Sequence, residues 1–375
     1  MSFWISAKGE SLPDTFFDVA RKVYESDPNW PVEDEDVVRW MFSDKHPYGE
    51  AIEWSACGIE GKVRAGLFFD PNLLMDDVPA ACFGYWEGVD DLEAHREVLK
   101  YAEDWARDRG AKKLYGPINF STYHAYRIRT DGFLNQPPFP GECYNPEYYQ
   151  GILKAQGYTV RETYLSYRPN DYALDAFEKV APMVHAKLEA AGLKPMVMTP
   201  DYWLDNREKI FPIFQATWKD NLGYVPITYE VFHNVFDEKV TKKIDPHLSL
   251  VVHGGDDELA GYFVVFPDYG PLLAQGNPNR VRESAINYEE HFPLLENPRL
   301  LMKSGCVVPA FRSMGLFNMM AAVICSKASK FGYKKPIACT VRSDNPSQKL
   351  GDFLKQIEPR TVYTRQEYSL FVKDI

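Results

Sequence analysis

Two distant stretches of this chain carry the same pattern. ARDRGAKKLYGP begins at Ala106 and ASKFGYKKPIAC at Ala328, and both read A-x-x-x-G-x-K-K followed by β-branched or apolar residues. Each closes a long amphipathic segment. Leu92, Leu99, Ala102 and Ala106 mark the apolar stripe of the first, and Phe317, Met320, Ile324, Ala328 and Phe331 that of the second. Gly110 and Gly332 stand where a helix C-cap is expected. Each following strand leads to an Asn-Pro pair, Asn145-Pro146 and Asn345-Pro346, the pattern of an N-cap followed by a first helical Pro. Upstream of each copy lies a hairpin. EWSACGIEGKVRAGLFFDP turns near Glu60-Gly61, and HLSLVVHGGDDELAGYFVVFP turns between Gly254 and Asp257. A matching order of elements around both copies predicts an internal duplication covering about 1–168 and 194–375, joined by a helical linker over 169–193. The expected class is α/β (α+β), with a mixed, mostly antiparallel sheet flanked by helices in each half.

The chain has 375 residues and a formal net charge of −11. Acidic chains are repelled by phosphate backbones, and no local basic patch interrupts this one, so nucleic acid is not an expected partner. No run approaches the roughly 20 apolar residues of a membrane span. The opening MSFWISAKGE lacks the basic and apolar regions of a secretory signal, which makes the cytoplasm the expected location. Cys57, Cys82, Cys143, Cys306, Cys325 and Cys339 are scattered without a C-x-x-C. Neither they nor the eight His have metal-ligand spacing, so reduced core thiols and no metal are expected.

VVPAFRSMGLFNMM, residues 307–320, is a strand that stops at a Pro, passes an Arg and a Gly, and becomes a helix. Such a junction points unpaired backbone N–H groups and the positive end of the helix dipole into the loop, which suits an anion. VVPAFRSMGLF resembles the V-x-P-x-x-R-x-x-G-x-G segment with which GNAT acyltransferases hold the coenzyme A pyrophosphate. TVRSDNPSQKL resembles the strand and N-x-x-A helix that follow it in those enzymes. Over nearly its whole length the chain resembles a bacterial group of tandem GNAT-like proteins, one branch of which is associated with N-acylation of sphingoid bases in ceramide synthesis. FGYWE, GPINFS and YNPEYYQGILKAQGY in the first half, and TWKDNLGYVPITYEVF, VVFPDYG and CVVPAFRSMGL in the second, carry that resemblance.

The resemblance implies a coenzyme A thioester as co-substrate, acetyl or longer. It places the donor site on Val307, Val308, Arg312, Ser313, Met314, Gly315, Leu316, Phe317 and Asn345. Phe317 departs from the third small residue of the pattern and is expected to crowd the pyrophosphate or shift the loop. The first copy has EGVDDLEAHRE at the equivalent place, whose Asp90, Asp91 and Glu93 would repel phosphates, so it is expected not to bind coenzyme A. The helix Tyr that serves many GNAT enzymes as general acid is absent; Asp352 and Leu153 occupy the two places.

Acyl transfer to an amine needs a polarised thioester, a neutral amine and a protonated leaving thiol. Asp268 and Glu87, each near a strand end, are the candidate bases, and Tyr363 and Tyr368, on the last strands, the candidate proton donors. The long Pro/Gly/Tyr-rich connection of the first half offers Asn119, Ser121, Tyr123, Arg127, Asp131, Tyr144 and Tyr148 for the acceptor. Trp218, Asn221 and Tyr224 are the second-half candidates. The expected acceptor is a small-molecule or lipid-like amine. An acyl carrier protein as donor and a non-catalytic, ligand-binding role are the alternatives, and the oligomeric state stays open.

Overall fold

In the computed structural model, which describes residues 2–43, 45, 52–345 and 349–375, the two expected hairpins form, and so do the two long helices that end before Gly110 and Gly332, although Leu92 and Phe331 of their expected apolar stripes are exposed. The strands are β1 (Phe3–Ala7), β2 (Glu53–Ile59), β3 (Val63–Met75), β4 (Val78–Gly88), β5 (Lys113–Gly116), β6 (Ile128–Asp131), β7 (Thr159–Pro169), β8 (Lys194–Val197), β9 (Leu250–His253), β10 (Leu259–Pro267), β11 (Arg299–Val307), β12 (Lys335–Arg342) and β13 (Tyr363–Asp374). The helices are α1 (Asp14–Val23), α2 (Glu35–Met41), α3 (Leu92–Asp108), α4 (Tyr149–Ala155), α5 (Tyr172–Ala190), α6 (Pro200–Asp205), α7 (Arg207–Trp218), α8 (Tyr229–Val235), α9 (Glu238–Thr241), α10 (Gly270–Leu273), α11 (Tyr288–His291), α12 (Leu316–Ala328) and α13 (Lys349–Ile357). Short 3₁₀ turns link several of them. Gly110 and Gly332 take φ of +82° and +89° beyond the ends of α3 and α12, the left-handed conformation a Gly adopts without steric cost. The repeated K-K opens β5 at Lys113 and β12 at Lys335, and each of these strands pairs in parallel with the fourth strand of its own half.

Asn145 does not cap a helix. α4 begins four residues later, and the Asn145 carboxamide accepts from the Arg129 N–H and donates to the Arg129 carbonyl. Its amide pairs with β6 as a neighbouring strand would. Pro346 lies outside the described residues.

The thirteen strands among the described residues belong to one sheet, in the order β1-β2-β3-β4-β5-β13-β7-β12-β11-β10-β9-β8, with β6 beside β13. The last strand of the chain therefore sits inside the N-terminal half. β13 runs antiparallel to β5 (Phe371↔Gly116 to Asp374↔Lys113) and to β7 (Tyr363↔Pro169 to Val372↔Thr159). β7, set apart from β5 by β13, pairs on its other side with β12 of the C-terminal half. The β7–β13 pair thus completes both halves.

Helices cover both faces. α3 and α4 bury Val98, Leu99 and Ile152 against Phe83 on one face of the N-terminal half, while α1 and α2 bury Phe16, Phe17, Val38 and Met41 on the other. The expected linker is helical as α5, but it is more than a tether. Leu174, Phe177, Val180, Val184 and Leu188 pack it into the C-terminal core with Met320, Ala321 and Ile324 of α12.

A buried charge cluster pins the exchanged strands. The Glu142 side chain is fully buried and lies 3.1 Å from Arg129 Nη2 of β6 and 2.6 Å from Arg168 Nη2 of β7. It also accepts the Tyr368 hydroxyl of β13 and the Phe139 N–H. Tyr368, a candidate proton donor in the sequence, is spent here: it is sealed in the core with its hydroxyl committed to Glu142. Removing one partner of a buried ion cluster strands the others without water. We expect Glu142→Ala to cost about 3–5 kcal/mol in urea denaturation, well above an average surface substitution. A loss below about 1 kcal/mol would show that the cluster is solvated.

Candidate functional site

The site grows from a failure of strand pairing. β11 and β12 run in parallel register from Arg299↔Lys335 to Met302↔Ala338 and then separate. β11 carries a bulge at Lys303, since Val264 and Val265 of β10 face Ser304 and Met302, and continues along β10 to Val307↔Gly261. β12 instead follows β7 through Val341↔Leu165 and Arg342↔Tyr164. Between the parted strands opens a cleft of about 700 Å³.

Val307, Arg312, Gly315, Phe317 and Asn345 line this cleft together with Trp218, Asn221 and Tyr363, so the structure gathers these candidates at one place. The strand ends at Val307, residues Pro309–Met314 form a 3₁₀ turn, and Gly315 (φ +73°) sets the start of α12 at Leu316. Among the described residues no side chain caps α12, so its first N–H groups are left for a ligand or water. A Cβ at Gly315 would meet no protein atom within 4 Å; the backbone angle, and not packing, asks for Gly. Arg312 donates through Nε to the Val307 carbonyl (3.2 Å) and through Nη2 to the Ala216 carbonyl (3.3 Å), and so ties the loop to β11 and α7.

Other donor-site candidates stand off. Val308 spends its N–H on the Ala260 carbonyl, Met314 is exposed, Leu316 is fully buried, and Ser313 does not line the cleft. Phe317 turns onto β11, its ring 5.1 Å from that of Phe263. Gly305 makes the room, because a Cβ there would come within 2.6 Å of the Phe317 ring. The ring therefore floors the cleft.

The N-terminal half begins with the same geometry and closes it. β4 and β5 pair in parallel only to Cys82↔Tyr115. The chain after Gly116 then folds back into the gap, where Ile118 N–H donates to the Phe83 carbonyl (2.7 Å) and Asn119 Oδ1 accepts from Tyr85 N–H (2.7 Å). Asn119, an acceptor candidate in the sequence, is the plug of this gap. At the head of α3, Asp91 accepts from Ala94 N–H (3.1 Å) and pairs with Lys62 at 2.5 Å. That helix dipole is answered by the protein's own carboxylate.

The remaining candidates divide. Arg127 lies over the rings of Tyr126 (3.8 Å) and Tyr164 (4.1 Å) and donates to Thr340 Oγ1 (3.3 Å) in the cleft wall. Tyr123 reaches the second half, donating to the Val225 carbonyl (2.9 Å) and facing Tyr224 at 6.3 Å, with Ser121 beside it in a second cavity. Asp131 is exposed, and Tyr144 and Tyr148 donate to Asp27 and to the Gly88 carbonyl. Asp268 is 1% exposed, paired with Arg299 at 2.6 Å and accepting from Gly270 N–H, which makes it a clamp at the end of β10. Glu87 accepts hydroxyls from Tyr24 (3.0 Å) and Tyr149 (2.5 Å) in the N-terminal half, away from the cleft lining. Sequence reasoning missed Tyr126, Tyr164, Tyr167, Lys303 and Leu354 of the lining. Three of these reach the cleft only because β7 pairs with β12 and the first-half loop comes with it, which no local pattern reports.

No family model matches the chain. It is 21% identical over 271 residues to Protein YghO of Escherichia coli (strain K12), covering 68% of this chain. It is 25% identical over 192 residues to a bacterial ceramide synthase of Caulobacter vibrioides, covering 51% of this chain. The chain spans 65% and 49% of the lengths of these curated relatives. Among solved structures, a tandem GNAT protein from the clavulanic acid biosynthesis pathway superposes with a TM-score of 0.54 at 11% identity, over 100% of this chain and 98% of that one. A GCN5-related N-acetyltransferase from Sphaerobacter thermophilus gives 0.50 at 12% identity, over 99% and 95%. The fold is the tandem GNAT fold. Among the described residues no helix is long and apolar enough to cross a membrane, and no group of three or more His, Cys, Asp or Glu is placed to hold a metal.

Burial pushes the Glu87 carboxyl up to about 7, with Arg64 and the Tyr149 hydroxyl opposing the shift. A carboxyl raised above its unfolded value binds more protons when folded, so stability is highest below the unfolded pKa and falls as pH rises toward 7. In Glu87→Gln, which keeps an acceptor for both tyrosines, we expect the loss of stability between about pH 4.5 and 7 to shrink by on the order of 2 kcal/mol in denaturant titrations. An unchanged slope would place the charge elsewhere.

Proposed function

We propose that this protein is an N-acyltransferase that moves an acyl group from an acyl-CoA thioester to the amine of a small molecule, by direct attack in a ternary complex. The C-terminal half, 194–375, holds the donor. The N-terminal half, 1–168, lends the cleft a wall and has closed its own gap. One observation carries this reading: β11 and β12 part over a cleft whose rim holds an uncapped helix N-terminus behind a left-handed Gly315. Backbone N–H groups there suit a pyrophosphate, and a thioester arm fits between the strands. Supporting it, the tandem GNAT fold covers the whole chain.

In this reading the neutral amine nitrogen attacks the thioester carbonyl carbon, the C–S bond breaks, and the proton shed by the attacking nitrogen ends on the departing thiolate. Backbone N–H groups of β11 polarise the carbonyl. Tyr363 is the donor we assign to the thiolate. It lines the cleft from β13, and its ring packs close on Gly351 of α13, where a Cβ would stand 3.2 Å from Tyr363 Cε1. It thus approaches from a strand the helix face on which the family pattern places its Tyr.

The apolar depth of the cleft, with Phe177, Phe263, Met302, Phe317, Ala321 and Leu354, favours a donor with a long acyl chain, carried by coenzyme A or by an acyl carrier protein, and a lipid-like amine or amino acid as acceptor. The partial similarity to a bacterial ceramide synthase agrees with that finer reading.

Calorimetry with coenzyme A, acetyl-CoA and palmitoyl-CoA tests the donor site. Asp and Asn both tolerate left-handed φ better than most residues, so Gly315→Asp adds charge and Gly315→Asn serves as its neutral control. We expect binding to the wild type and at least a tenfold loss, about 1.4 kcal/mol, in Gly315→Asp, with a smaller loss in Gly315→Asn. Tighter binding of palmitoyl-CoA than acetyl-CoA supports the long-chain reading. Binding that ignores both variants would remove the pyrophosphate from this loop, and binding without turnover of any amine would leave a ligand-binding protein.

A further inference from the structure

A second cavity, of about 370 Å³, lies between the halves and away from the donor cleft. That size falls in the range of small-molecule sites, about 300–1,000 Å³. Its N-terminal wall is Phe68, Leu73, Ile118 and Phe120, and its C-terminal wall includes Val225 and Ile227. The two walls are held together by hydrogen bonds from Thr122 Oγ1 to the Gly223 carbonyl (3.2 Å) and from the Tyr123 hydroxyl to the Val225 carbonyl (2.9 Å).

Among the described residues that line the cavity, Asp70 is the charged one. Phe68 and Asp70, two residues apart on β3, share the face that lines the cavity. Just beyond Phe69 the strand bulges, because Phe69 pairs with Ala81 and Leu74 with Pro79, so four residues stand opposite one. Bulges of this kind re-aim side chains and cluster at functional sites. Asp70 is 8% exposed; its Oδ1 accepts from Asn72 N–H (2.8 Å), and among the described residues it makes no ion pair. A carboxylate held out of bulk water without a counter-charge is costly, and a cation that brings its own hydrocarbon removes both that cost and the exposure of the walls.

We propose that this cavity is a binding site for a hydrophobic amine, with the ammonium group against Asp70 and the hydrocarbon against Phe68, Leu73 and Ile227. The site is independent of the donor reading, since none of its lining residues belongs to the β11–β12 cleft.

The test is calorimetry with n-octylammonium, n-octanol and octanoate, each below its aggregation concentration, on wild type and the isosteric Asp70→Asn. Octylammonium should bind the wild type at least tenfold more tightly than octanol, octanoate should not bind, and Asp70→Asn should erase the preference for the amine. Coenzyme A binding to Asp70→Asn should be unchanged, which separates failure here from failure of the donor site. No binding of octylammonium, equal affinity for octanol, or an amine affinity that survives Asp70→Asn overturns the proposal. The last outcome would mark simple attraction of cations to an acidic protein.

Discussion

Everything in this molecule leans on β13, the strand that crosses from the end of the chain into the N-terminal half. It satisfies the open edge of β5 and at the same time pairs along the length of β7. Without it β5 would present an unpaired edge inside the protein, where no water could serve its backbone groups. The buried carboxylate of Glu142 fixes the same junction from the side, meeting an Arg from β6, an Arg from β7 and a hydroxyl from β13. A buried ion cluster is poor at adding net stability and good at rejecting alternative pairings, because any other register leaves charge unpaired. The exchange of strands and the cluster that locks it are one device.

The exchange has a chemical consequence. Because β7 pairs with β12, Tyr164 and Tyr167 line the β11–β12 cleft of the other half, and Tyr126 with the neighbouring Arg127 comes with them. Neither half alone encloses the cleft. The duplicated geometry also meets two fates. Parallel strands part in both halves after three or four paired positions. In the first, a chain reversal after Gly116 inserts Ile118 and Asn119 into the gap and an Asp neutralises the helix behind it. In the second the gap stays open, and among the described residues no side chain caps the corresponding helix.

Two segments join the cleft to the smaller cavity. Trp218 and Asn221 face the cleft, and Gly223 to Thr228 face the cavity. On the first-half side Ser121 to Tyr123 face the cavity and Tyr126 the cleft.

From its sequence alone the chain determined its elements and their repetition: the hairpins, the Gly-terminated helices, the paired K-K strands, and the Arg/Gly junction before α12. These are local matters of periodicity, left-handed φ and helix termini, so a short window of residues contains their cause. The sequence also implied that the first copy would be unfit for a pyrophosphate, since Asp91 stands at the head of α3 whatever surrounds it. What it could not decide was which repeat would own which last strand, because β7 and β13 are both plausible partners for β5 and only the sum of long-range pairing and burial chooses. That choice sealed Tyr368 and left Tyr363 in the cleft, turned Asn119 from a candidate ligand into a plug, made Asp268 a clamp for Arg299, and placed Asp70 in a cavity walled by both halves. Each of these roles depends on a neighbour far away in the chain, and only tertiary structure supplies it.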